Sequence, residues 1–387
     1  MSAYIPLAVP SLNGNEIKYV KECIDTEWVS SAGKYVDLFE KNISEFTGSK
    51  YAIACVNGTA ALQVSLRLAG VEAGNEVIVP TVTFISSVNS VFYNNARPVF
   101  MDADKYYNID AEKTIEFINN ETLFKNGFTY NKKTNNRISA IVPVHVWGNA
   151  CWFDELIVLC NKRNISIVED ACESLGTIYN SGNYKGKHTG AIGTLGCLSF
   201  NGNKIITTGG GGMILTDDET LAEKAKYLTT QAKDDPIRYV HKEMGYNFRL
   251  TNIQAALGVA QLEQLPAILK RKKEIHDYYK KEINDIDGLF ISKTPNYAYN
   301  NHWLNLLQID QKNYGEDRES LMARLENNGI QTRPVWKLNH LQKPYRNFQS
   351  YKVERAGVLL AYSLCLPSSS NLTDDDINNV ITQLAHK

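Results

Sequence analysis

The sequence predicts an α/β fold: a mostly parallel sheet in a large domain, followed by a smaller α+β domain. Three observations predict it. Short apolar runs rich in Val and Ile alternate with helix-like stretches through the first two thirds of the chain. The pattern then changes after Pro266 to a charged helix and a strand–helix–strand stretch. The length, 387 residues, exceeds what one compact domain usually takes.

The apolar runs are 51–56, 76–80, 97–101, 138–146, 165–168, 196–200 and 212–215. Most end in Gly, Pro, Asp or Asn. Buried strands of this kind, separated by helices, form a parallel sheet covered on both faces. Residues 124–137 are polar with Gly and Asn, which predicts an exposed hairpin inserted into the large domain. Thr251 and Gln254 stand three apart at a helix start, the pattern of a capping box. That helix is expected to end or kink near Pro266, since proline lacks the amide hydrogen and clashes with the preceding turn. A charged helix, 267–283, leads to strands at 289–292, 304–309 and 331–335, a helix at 318–327 and a terminal helix at 373–385. The domain boundary is placed in the helix after Pro266, giving residues 1–266 and 267–387.

Apolar residues make up 43% and charged residues 21%, enough for a sizeable core. The net charge of −1 and the mixing of both signs argue against a nucleic-acid footprint. No apolar run reaches membrane-spanning length. Residues 1–10 do not read as a signal peptide. The seven cysteines show no CxxC pair, and several lie in apolar runs, which points to a reducing compartment. A cytoplasmic protein is expected. The histidines give no metal-ligand pattern, so no metal is expected. His145, at a strand end, reads as structural.

Chemistry is sought at the carboxyl ends of the strands, where ligands collect in open α/β sheets. Three segments stand there. Asn57-Gly58-Thr59-Ala60 joins an apolar run to a small-residue helix, and a helix start suits a phosphate. Taken alone it reads as an ordinary N-cap. Val168-Glu169-Asp170-Ala171-Cys172-Glu173 ends a strand in acids. Such an acid is commonly a turn residue, but it also serves as a buried partner for a cation. Ser199-Phe200-Asn201-Gly202-Asn203-Lys204 precedes a run of four glycines, Gly209 to Gly212. Most lysines are solvated, yet a desolvated one is a good partner for an aldehyde. The glycines do not fit a dinucleotide fingerprint. Individually these signals are weak. Together they supply a phosphate cradle, an acid for a pyridine nitrogen and a lysine for an aldehyde, in the chain order of the pyridoxal-phosphate fold of the aspartate aminotransferase type (fold type I).

Further segments carry a resemblance over nearly the whole chain: Ile5-Pro6-Leu7, Trp28-Val29-Ser30-Ser31-Ala32-Gly33, Gly245 to Thr251, and Leu366-Pro367. With the three segments above, they make the sequence similar to the DegT/DnrJ/EryC1/StrS sugar aminotransferases, which act on nucleotide-linked keto sugars. The 124–137 insertion and Thr207-Thr208 resemble the branch that serves legionaminic acid and bacillosamine pathways. The resemblance implies pyridoxal 5′-phosphate as cofactor, with pyridoxamine 5′-phosphate formed in the cycle. It implies that Lys204 binds the cofactor aldehyde and carries the proton. Asp170 would pair with the pyridinium nitrogen and Phe84 would stack on the ring. Gly58, Thr59, Ala60 and Ser199 would hold the phosphate. Asn247 would reach the phosphate of a neighbouring subunit, making a homodimer with a shared site. Ser30 would lie near the sugar nucleotide. Phe84 also reads as plain core, Asn247 as a loop residue and Ser30 as a turn residue.

One departure stands out. The family usually has Gln or His where this chain has Glu173, near the ring hydroxyl. A carboxylate beside a phenolate repels it unless one of them is protonated. The implied reaction moves the amino group of L-glutamate to C4 of a 4-keto-6-deoxy sugar, with UDP-linked N-acetylglucosamine as the first choice of carrier and sugar. The result is a 4-amino sugar for surface glycan biosynthesis. GDP-linked and 3-keto sugars are alternatives. Sugar dehydratases of this fold replace the lysine by histidine, so Lys204 disfavours that reading. A cofactor-binding regulatory protein is the non-enzymatic rival; such proteins often carry an added DNA-binding region, which is not visible here.

Overall fold

A computed structural model describes residues 4–235 and 237–385. Its main sheet carries the strands Tyr51–Cys55, Gly212–Thr216, Leu195–Ser199, Ser166–Asp170, Arg137–Ile141, Glu76–Pro80, Arg97–Met101 and Ser350–Tyr351, side by side in that order. From Leu195–Ser199 to Ser350–Tyr351 every neighbouring pair is parallel. Within this row of eight strands Gly212–Thr216 reverses, pairing antiparallel with both its neighbours. The sheet is mixed but mostly parallel, as the apolar runs required. All five residues of Glu76–Pro80 are buried, as for a strand covered on both faces.

The expected hairpin forms from Thr122–Lys125 and Phe128–Asn131, antiparallel to each other. Its second strand pairs with the start of Arg137–Ile141, which anchors it to the sheet. Apolar helices cover the sheet. One, Gly58–Leu68, begins at the Asn57 N-cap and packs against the strand ends.

The capping box is present: Thr251 and Gln254 exchange side-chain and backbone hydrogen bonds. The helix it opens does not end at Pro266 but runs unbroken over Asn252–Ile283. Burial on both sides of the proline holds it. Val259, Leu262 and Leu265 pack in one core and Ile275, Tyr279 and Ile283 in another. That packing outweighs the loss of one hydrogen bond at proline, a cost of about 3 kcal/mol.

The second core lies under a four-stranded sheet ordered Leu289–Ile291, Asn305–Ile309, Ser363–Leu366 and Arg333–Pro334, antiparallel throughout. Only two residues of the expected 331–335 run pair. The helices Arg318–Asn327 and Asp374–Ala385 close this unit. Among the described residues no helix is long and apolar enough to cross a membrane.

Candidate active site

Three strand ends and two helix starts converge on a cavity of about 320 Å³. Of the residues expected from the sequence, Gly58, Thr59, Phe84, Asp170, Glu173, Ser199 and Lys204 line it. Ala60, Asn247 and Ser30 do not. The Ala60 amide donates to Asn57 Oδ1 (2.8 Å), the ordinary cap. That leaves Gly58 and Thr59, whose amides have no intrahelical acceptor at a helix start. The Ser30 carbonyl instead accepts the Asn252 amide. Asn247 forms a bridge to Thr230, and Arg249 donates to its side chain at 3.4 Å.

Asp170 ends its strand buried, 4% exposed. Its Oδ2 accepts from Ser87 Oγ (2.6 Å) and its Oδ1 from the Cys172 amide (3.2 Å). Ser87 in turn exchanges a hydrogen bond with Thr83. The carboxylate is therefore fixed in orientation while its strand presents it to the cavity.

Glu173 follows one turn later. Its Oε2 accepts from the Trp147 amide (2.9 Å), and its Oε1 stands 3.6 Å from Lys204 Nζ. Trp147 offers that amide from a left-handed backbone, φ 52°, an uncommon conformation for a bulky residue. Burial pushes the Glu173 carboxyl up to about 7, against the pull of the nearby lysine.

Lys204 meets the segment that leads into the strand Asn305–Ile309. Its Nζ lies over the Trp303 ring, 4.2 Å from the centroid. The Trp303 indole donates to the Asn203 carbonyl (2.6 Å), and its amide to Asn301 Oδ1 (3.0 Å). Asn301 Nδ2 donates to the Glu173 carbonyl (2.9 Å). The segment 301–303 thus braces both the lysine and the acid.

Phe84 is half exposed at the cavity mouth and meets Trp336 edge-on at 6.3 Å. Trp336 stacks on Trp147 at 5.1 Å. Together they give the cavity an aromatic wall.

Ser87, Trp303 and Trp336 were not found from sequence. Ser87 stands four residues after Thr83, one helical turn on, and that spacing was the available signal. Trp303 and Trp336 come from the C-terminal third of the chain and carry no local signal.

The donor set suits pyridoxal phosphate: an oriented acid for a ring nitrogen, a lysine for an aldehyde and free helix amides for a phosphate. The cradle is also tight. A Cβ at Gly58 would come within 2.8 Å of Cys172 Sγ and 2.9 Å of Ser199 Cβ.

The family model of the DegT/DnrJ/EryC1/StrS aminotransferases matches residues 10–385. The chain belongs to this family. It is a pyridoxal phosphate-dependent sugar aminotransferase. GDP-perosamine synthases of Caulobacter vibrioides, Escherichia coli O157:H7 and Vibrio cholerae are 36%, 36% and 35% identical to it. They match over 98%, 97% and 97% of this chain and 97%, 96% and 97% of their own. EpsN of Bacillus subtilis, a proposed pyridoxal phosphate-dependent aminotransferase, is 35% identical over 100% of this chain and 96% of its own. Among solved structures, Helicobacter pylori PseC, an aminotransferase involved in pseudoaminic acid biosynthesis, superposes with a TM-score of 0.86. It is 25% identical, with 98% of each chain covered.

Proposed function

We propose that this aminotransferase moves the amino group of L-glutamate to the C4 keto carbon of a GDP-linked 4-keto-6-deoxy sugar. The observation that carries the amino-transfer reading is the single cavity in which Lys204 Nζ stands 3.6 Å from Glu173 and shares walls with Asp170. The GDP carrier is supported by the three GDP-perosamine synthases, each matched along nearly its whole length. It replaces the UDP-linked N-acetylated sugar expected from the branch resemblance.

Pyridoxal phosphate, when bound, supplies an aldehyde that captures amines and a ring that takes up their electrons. Each residue then has a defined task. Asp170, oriented by Ser87, holds a proton on the ring nitrogen. Gly58, Thr59 and Ser199 bind the phosphate, with Ala60 supporting the turn behind them. Phe84 covers one ring face. Lys204 Nζ holds the aldehyde at rest. Its amine would take a proton from the donor carbon and later give one to the sugar carbon, so one amine would serve as base and acid. Glu173, kept largely protonated below about pH 7, donates toward the ring oxygen instead of repelling it. Asn247 reaches the phosphate across a homodimer, and its absence from this chain's own cavity is compatible with that task. Ser30 contacts the sugar nucleotide. Residues 1–266 make most of the cofactor domain and 267–387 most of the smaller one; the separate core around Tyr279 and Leu307 supports the division, while the strand Ser350–Tyr351 returns to the main sheet.

Dehydration is the rival chemistry on this fold, and Lys204 argues against it, since those enzymes carry histidine at that position. The test is a half-reaction. The enzyme is treated with L-glutamate, freed of excess donor and offered the GDP- or the UDP-linked keto sugar. Return of the visible cofactor absorbance with the GDP sugar supports the proposal. Return only with the UDP sugar restores the carrier first expected. Return with neither rejects the substrate class.

A further inference from the structure

Outside the cofactor cavity lies a larger cleft, about 910 Å³, between helix Asn252–Ile283, the strand Leu289–Ile291 and the loop at Lys105–Tyr106. It shares no lining residue with the cofactor cavity. Lys105, Lys280, Lys293 and Arg355 line it, and no Asp or Glu does. Among the described residues the three lysines form no ion pair, while Arg355 pairs with Asp110 at 3.4 Å. Cations gathered on one concave wall without acids repel one another, and an anion removes that repulsion.

The floor adds a second observation. His276, 8% exposed, lines the cleft and stacks on His302, 9% exposed, with ring centroids 4.0 Å apart. His276 Nδ1 is bonded to Asn305 Oδ1 at 2.8 Å, whereas the His302 ring forms no hydrogen bond among the described residues. His302 also has a left-handed backbone, φ 50°. Burial first, then His276 and the neighbouring lysines, pushes the His302 imidazole down to about 2. The histidine pair brings no negative charge to the cleft wall, so the lysines there stay uncompensated from that side.

We infer that this cleft is a second anion site, which takes a diphosphate group separately from the cofactor and the sugar substrate. Three unpaired lysines match the charge of a diphosphate, and lysine binds phosphate as a point charge. Asn284 lines the cleft with an amide donor, and Gln308 lines it with one Nε2 hydrogen already given to Tyr107 Oη (2.9 Å). Free diphosphate and the diphosphate of a nucleotide share this chemistry.

The test is calorimetric titration of the cofactor-loaded full chain with inorganic pyrophosphate, and in parallel with GDP. The wild type is compared with a Lys280→Gln, Lys293→Gln double variant. Both lysines are exposed, so the variant folds, and its visible cofactor absorbance checks that. The expected result is one pyrophosphate per chain, weakened by salt and at least about tenfold weaker in the variant. A lysine-dependent GDP component tighter than pyrophosphate names a nucleotide as the source; a weaker one names the free ion. Equal pyrophosphate affinity in wild type and variant, or no binding in the wild type, overturns the inference.

Discussion

The amine of Lys204 rests on the face of Trp303, 4.2 Å from the ring centroid, although the two residues lie in different thirds of the chain. The ring is itself fixed, because its indole donates to Asn203 and its carbonyl accepts from Lys272 Nζ at 2.9 Å. In the proposed reaction this contact would steady the Lys204 amine beside the cavity. Trp303→Leu is expected to lower kcat by between about twofold and thirtyfold, the range of a cation–π contact, with little change in KM. Trp303→Phe should fall between. Steady-state kinetics on both variants checks this, and a fall in kcat/KM driven by KM alone would count against it.

Lys204→Ala removes the group proposed to hold the aldehyde and to move both protons. Turnover should drop by at least about 10²–10⁴-fold, while the folded state survives. Turnover assays alongside circular dichroism separate loss of chemistry from loss of fold.

Gly58→Ala tests the cradle. The new Cβ meets Cys172 and Ser199 inside 3 Å, and neither neighbour sits on a flexible tip. Overpacking of this kind costs about 1–3 kcal/mol, which predicts a rise in the cofactor Kd of between about fivefold and a hundredfold. Spectroscopic titration of cofactor-free enzyme measures it.

Glu173 carries the pH dependence. Burial raises its carboxyl to about 7, so it is protonated in mild acid and ionised above neutrality. A limb near pH 7 is expected in the rate profile of the wild type. Glu173→Gln, which keeps the amide contact and cannot ionise, should lose that limb. A limb that persists in the variant would assign the titration elsewhere.

These residues show where the sequence was legible. The strand ends could be read because a parallel sheet buries whole strands, and continuous apolar runs mark them. Glu76–Pro80 and Arg97–Met101 fall on their expected limits for that reason. Asp170 closes such a strand and Lys204 follows one by five residues, and both line the same cavity. Trp303 carried no such mark, since its contact with Lys204 joins the segment before the strand Asn305–Ile309 to a loop one hundred residues earlier. The Pro266 expectation failed for a related reason. Local chemistry disfavours helix there, and only tertiary burial on both sides overrides it.

Lys272 gives a stability prediction of its own. Complete burial lowers its amine to about 7. Between about pH 7 and its ordinary range near 10.5, the unfolded chain binds more protons than the folded one, so stability rises with pH across that window. Lys272→Met should flatten the rise. It also strips a donor from the Trp303 and Ser368 carbonyls, so it should destabilise the protein at high pH. Urea denaturation at several pH values reads both effects.

The helix through Pro266 spans 32 residues, about 48 Å at 1.5 Å per residue, and belongs to both cores. Neither core keeps its full apolar complement if that helix frays. The two ends of the molecule therefore melt together, and a break anywhere along this shared beam is felt in both.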